Sequence, residues 1–187
     1  NRQQRCDLYT VKVYNKYWRA QAFTPNGNIT AAQLELLIET TGTPASDLTI
    51  ELVNDSGGNP TGSVLQTLSI TKASILIPAW RATASFSQAL TNGTTYWVRI
   101  SSPGSNNAAY WEWWATDDSG SGYCTLNYPN DYYAGNAKYS QDSGATWNVG
   151  LNSIHTGANS DFTMKLYSSG SAGHTVDIKT TYTKRYL

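Results

Sequence analysis

The sequence predicts an all-β protein: an antiparallel β-sandwich of jelly-roll type, with extended β arms at both ends. Three observations predict it. Nearly every periodic segment alternates apolar and polar residues at period two, the spacing of a strand with one buried face. Turn chemistry separates those segments: Pro25-Asn-Gly-Asn28, Asp55-Ser-Gly-Gly-Asn-Pro60, Asn92-Gly93, Pro103-Gly104 and Ser143-Gly144. No run has the length and period of an ordinary helix, and the one short helical turn expected lies near Lys72 to Ser74.

Leu8 to Tyr14 alternates weakly and reads as a strand within an N-terminal arm, residues 1–17. Trp18 to Thr24 opens the body, residues 18–168. Gln33 to Thr40 has the composition of a helix. Its alternation of Leu34, Leu36 and Ile38 with Glu35 and Glu39, followed by Thr41-Gly42-Thr43-Pro44, makes it a strand. Leu48, Ile50 and Leu52 alternate with Thr49 and Glu51, and Val64 to Thr71 is the next strand. Trp80, Ala82, Ala84 and Phe86 alternate with Arg81, Thr83 and Ser85; Tyr96, Val98 and Ile100 alternate with Trp97, Arg99 and Ser101. Tyr110 to Thr116 and Gly122 to Leu126 follow, and Phe162, Met164 and Leu166 close the body. Beyond the flexible small-residue stretch Ser168 to Gly173 comes more β-type chain, so residues 169–187 read as linker and C-terminal arm. Val176, Ile178, Thr180 and Tyr182 fall on one face of that arm, and Asp177, Lys179, Thr181 and Thr183 on the other.

A chain of 187 residues suffices for one domain with a sizeable core. Lys+Arg 13 balances Asp+Glu 13, so nothing favours a nucleic-acid partner. The ends are locally basic at Arg2, Arg5, Lys179, Lys184 and Arg185, which suits either an acidic partner surface or solvated tails. Tyr 13 and Trp 7 outnumber Phe 3; side chains with a polar handle suit half-exposed faces. With 14% charged residues and abundant Thr, Ser, Asn and Gly, the profile is that of an extracellular or virion-surface protein. No stretch is long and apolar enough to span a membrane. The chain starts at Asn1 without an apolar leader, which predicts a removed leader or a trimmed end. Cys6 and Cys124 make either one disulfide pinning the N-terminal arm to the body or two unpaired thiols.

Four segments together resemble the choice-of-anchor R type of jelly-roll domain found in bacterial and phage surface proteins. They are Ala20 to Thr24, Leu48 to Thr61, Phe86 to Val98 with its Tyr96-Trp97 pair, and Ser140 to Trp147 followed by Asp161 to Tyr167. The resemblance covers about residues 18–167. It implies a non-catalytic module that caps, anchors or binds, and it implies no catalytic residues.

Two constellations stand out within the body. Ser140, Asp142, Gly144 and Trp147 have the Asp-box spacing, whose physics is structural: the carboxylate accepts backbone N–H groups across a tight hairpin, glycine opens the turn, and the indole packs beneath. One copy cannot build a propeller. In Tyr110-Trp-Glu-Trp-Trp114, Tyr110, Glu112 and Trp114 share a face, two rings flanking a carboxylate. With Tyr132 and Tyr133 they form a candidate glycan platform; the plainer reading buries both faces. No zinc spacing or nucleophile elbow occurs, and His155 and His174 are the two histidines, so neither a metal site nor catalysis is expected. No cofactor is expected. Calcium is a weaker alternative at the oxygen-rich loops Asp55 to Asn59, Asp117 to Ser119 and Asn130-Asp131, none of which has EF-hand spacing. Asn28, Asn54 and Asn92 head glycosylation sequons.

The expectation that follows is a non-enzymatic structural subunit of an exposed assembly, a virion decoration or fibre protein or an extracellular filament subunit. Identical or different subunits would be joined by β-augmentation. Val176, Ile178, Thr180 and Tyr182 form one candidate inserted face, and Val11 and Val13 the rival one. The alternative is a carbohydrate-binding or adhesion module; a sugar-active enzyme comes third.

Overall fold

A computed structural model describes residues 8–73, 79–82, 87–116, 137–152, 160–169 and 175–176. Its strands are β1 (Leu8–Val13), β2 (Trp18–Phe23), β3 (Ile29–Thr41), β4 (Leu48–Asn54), β5 (Val64–Ile70), β6 (Ala79–Ala82), β7 (Gln88–Leu90), β8 (Tyr96–Ser101), β9 (Tyr110–Thr116), β10 (Ala137–Ser140), β11 (Asn148–Val149), β12 (Asp161–Phe162), β13 (Met164–Ser168) and β14 (Thr175–Val176). No helix occurs among the described residues, and none is long and apolar enough to cross a membrane.

Two antiparallel sheets pack face to face as a β-sandwich, as the period-two pattern predicts. The first sheet runs β1-β9-β3-β13-β14, with β12 on β9 and β6 and β7 along β3. The second runs β11-β10-β2-β8-β4-β5. Val11, Val13, Leu34, Leu36, Ile38, Trp111, Trp113, Phe162, Met164 and Leu166 meet Phe23, Leu48, Ile50, Leu52, Tyr96, Val98 and Ile100 in one core. Trp113 stacks on Phe162 with ring centroids 4.4 Å apart, and its indole N–H donates to the Thr163 carbonyl at 2.8 Å. A buried indole thus keeps its hydrogen bond.

The first sheet forks. β9 pairs with β3 through Ile38↔Trp113 to Thr41↔Tyr110, then the two strands part. The strand pair β12 and β13 enters the gap, β12 pairing with β9 and β13 with β3. Buried Thr163 lies at the crotch: its N–H and its hydroxyl both donate to the Trp114 carbonyl, at 2.9 and 2.8 Å, and its own carbonyl accepts the Leu37 N–H. Across the sandwich, Gln21 of β2 ties the sheets together, donating to Asp161 Oδ1 at 2.8 Å and accepting the Phe162 N–H at 2.7 Å.

Several elements differ from expectation. β3 runs Ile29–Thr41, longer than the segment read from Gln33 to Thr40. β7 and β10 were not anticipated; they are short, three and four residues, too brief for a periodic signal. β6 covers the start of the expected strand Trp80 to Phe86, while residues 83–86 lie outside the described ones, as does Gly122 to Leu126. Ala73 is in a turn, and Ser74 lies outside the described residues. β1 is no free arm: it pairs with β9 from Leu8↔Thr116 to Val13↔Trp111.

Candidate functional site

The residues proposed for assembly fall in two places. Val11 and Val13, read as a face for a neighbour's pockets, instead fill this chain's own core. The pairing of β1 with β9 turns them inward beside Trp111 and Trp113. At the other end, Val176 lies in β14, where it pairs with Leu166 of β13. Ile178, Thr180 and Tyr182 lie outside the described residues, as do Tyr132, Tyr133, Cys6 and Cys124.

An open edge was missed. β5 ends the second sheet, pairing with β4 from Leu48↔Ile70 to Val53↔Val64 and, among the described residues, with nothing beyond. Its seven residues, Val-Leu-Gln-Thr-Leu-Ser-Ile, include no charge and no proline. Sheet edges are ordinarily blunted by such residues or by bulges; within β5 and its pairing with β4, one register irregularity opposite Leu52 and Val53 is the device present. Val64, Thr67 and Ser69 are exposed. Val64 and Val149 are the large exposed apolar side chains among the described residues, and they sit on the two opposite edges, β5 and β11, of the same sheet. The absence of charge from Val64 to Thr71 was the signal available in the sequence.

On the outer face of the first sheet, β9 presents Tyr110, Glu112 and Trp114 together, but their polar groups are already engaged or enclosed. Both Glu112 carboxylate oxygens accept hydroxyls, from Thr10 and from Thr41, each at 2.9 Å. Tyr110 is buried, with Lys12 Nζ 4.3 Å from its ring centroid and Tyr14 at 6.1 Å. Glu39 sits directly across from Glu112. Partial burial and the neighbouring Glu112 charge raise the Glu39 pKa. The indole N–H of Trp114 is buried and completes no hydrogen bond, and its nearness to Glu39 acts against that rise by favouring the charged carboxylate.

The outer face of the second sheet is roofed by two loops. From β10 to β11 runs the Asp-box hairpin. Asp142 accepts the Ser140 hydroxyl at 2.7 Å and the Thr146 N–H at 2.9 Å through Oδ1, and the Thr146 hydroxyl at 2.6 Å through Oδ2. These bonds, Thr146 first, hold its carboxyl at about 2. Gly144 takes φ +84°, and a Cβ there would come 2.8 Å from the Trp18 ring. The indole of Trp147 donates to the Gly144 carbonyl at 3.0 Å and packs on Ala20, Ala22, Val53 and Trp97. The β4–β5 loop lies over Trp97 and Arg99 of β8. Asp55 accepts the Trp97 indole N–H at 2.7 Å and the Gly58 N–H at 3.0 Å. Both carboxylate oxygens of this calcium candidate therefore already serve protein donors. Arg99 binds Glu51 at 2.8 Å and the Pro60 carbonyl at 2.9 Å. Lys138 reaches over from β10 to Gly58 and Asn59.

Arg19 is buried on the core side of β2, between Tyr139 and Ile100 in register. It donates to the Trp18 carbonyl at 2.8 Å, and its Nε has no partner. Burial pulls its pKa down to about 10, opposed by the phenols of Tyr14, Tyr139 and Tyr17. Among the described residues, no three His, Cys, Asp or Glu side chains gather as metal ligands.

No protein-family model matches the chain, and no curated protein matches it.

Proposed function

We propose that this protein is a non-enzymatic, jelly-roll-type structural subunit of an exposed assembly, an extracellular filament or a virion surface, joined by strand pairing at β5. The observation that supports this reading is the uncharged strand of seven residues that ends the second sheet, unpaired on its outer side among the described residues. Such an edge offers a row of main-chain donors and acceptors, and main-chain pairing gives affinity while alternate side chains give register. The occupant is a strand from a second copy of this chain. Ile178, Thr180 and Tyr182 supply its candidate inserted face, alternating as a half-buried strand requires. The resemblance of residues 18–167 to a surface-anchoring module points the same way. A glycan platform at Tyr110, Glu112 and Trp114 draws less support, because both Glu112 oxygens already accept hydroxyls.

The test places lysine at the two exposed edge positions, Thr67→Lys with Ser69→Lys. Charges there leave the core untouched and oppose pairing. Sedimentation of the purified wild-type chain is expected to give a concentration-dependent oligomer, and the double variant a folded monomer. A monomeric wild type, or a variant that assembles unchanged, overturns the reading. Truncation after Val176 then separates donors: lost assembly assigns the donor to the C-terminal arm, and retained assembly assigns it to a second β5 edge.

A further inference from the structure

Lys138 and Asn59 come from distant parts of the chain, separated by 79 positions, and meet on the outer face of the second sheet. Lys138 projects from β10 at the register of Ala20 on β2 and Arg99 on β8. Its ammonium nitrogen donates to Asn59 Oδ1 at 2.6 Å and to the Gly58 carbonyl, and lies 5.6 Å from the Trp97 ring centroid.

The amide is held on its other side as well. Asn59 Nδ2 donates to the Gly57 carbonyl at 3.3 Å, and Ser56 and Asn59 exchange backbone hydrogen bonds at 3.0 and 3.2 Å. Asp55 fixes the same turn from within through the Gly58 N–H. Arg99 fixes it at the Pro60 carbonyl. A primary amine and a primary amide are thus presented to each other by a preorganised frame, the condition under which an intramolecular acyl transfer gains most. Burial lowers the Lys138 pKa, with the Asp55 charge opposing, so the neutral nucleophilic amine is more accessible than for a solvated lysine.

We infer that Lys138 Nζ and Asn59 Cγ join in an intramolecular amide bond that ties the β4–β5 loop to β10. The Lys138 ammonium lies at a solvent-exposed contact and gives its proton to water. Neutral Nζ adds to Cγ, and the carbonyl electron pair moves to Oδ1. Water carries a proton from Nζ to Nδ2. The pair on Oδ1 re-forms the carbonyl, the bond from Cγ to Nδ2 breaks, and ammonia leaves, taking up the proton first released to become ammonium. Nothing is oxidised or reduced, and no co-reactant is required. The inference is independent of assembly at β5, since all its groups belong to one chain.

Mass spectrometry of the purified full chain decides it. The intact protein is expected to be lighter than its sequence by one ammonia. Peptide mapping is expected to yield a branched peptide containing both residue 59 and residue 138. The map is needed because succinimide formation at Asn92-Gly93 also releases ammonia. Lys138→Arg keeps a cation over the loop but removes the nucleophile; it is expected to restore the full mass and abolish the branch. A wild-type map in which residues 59 and 138 occur only in separate linear peptides, after prolonged incubation at neutral pH, overturns the inference and leaves Lys138 as a non-covalent clamp.

Discussion

Asp142 illustrates what one carboxylate does in a hairpin. Its pKa falls from 3.8 to about 2 because the ionised form collects the Thr146 and Ser140 donors. A group depressed in the folded state stabilises above its unfolded pKa, and that stabilisation disappears as pH drops through the folded value. Asp142→Asn is therefore expected to melt below the wild type at neutral pH. The gap should narrow as pH falls below 3.8 and close near 2. Thermal scans across that range check it, and a gap independent of pH would assign the effect to shape rather than charge. This motif was legible because its bonds are local and fixed by spacing. Arg19 was not. In Trp18-Arg-Ala-Gln-Ala-Phe23 the apolar residues Ala20 and Ala22 suggest the core side, yet Arg19, Gln21 and Phe23 face the core while the alanines lie under Trp147 and Trp97. Two loops from elsewhere in the chain make the outside of this sheet a second apolar layer, and no local pattern announces that.

The fork between β9 and β3 is the least regular element and depends on Thr163. Replacing Thr163 with valine removes the hydroxyl bond to the Trp114 carbonyl, while the backbone N–H of residue 163 still donates to that carbonyl. With the acceptor still satisfied, the expected loss is about 1 kcal/mol. Urea unfolding should show a lower midpoint with an unchanged slope. A loss several times larger would mean that the fork itself collapses. Strand existence was readable wherever alternation ran for six residues or more, as in β4 and β8. Partner order was not, because β3 meets β6, β7, β9 and β13 along one strand of thirteen residues, and register between distant strands leaves no trace at period two. The same blindness hid the role of β1, whose weak alternation resembled a loose arm until its partner β9 was known.

Taken as a whole, the sandwich has one continuous core in which Trp111, Trp113 and Phe162 are among the largest fully buried side chains. Trp113→Ala would remove the ring stacked on Phe162 and orphan no polar group but the Thr163 carbonyl, which keeps the Leu37 N–H. A loss of ~3–5 kcal/mol is expected, a large part of a domain's total stability, with Trp113→Phe recovering much of it. Calorimetry of the two variants measures this. The two-sheet architecture was legible from composition and turn chemistry, while the exposed edge became visible only once β5 was placed last in its sheet. One consequence of Lys138 spanning to the β4–β5 loop is mechanical. A pull separating β10 from β4 would be shared between that span and the intervening ladders of β10 with β2, β2 with β8 and β8 with β4.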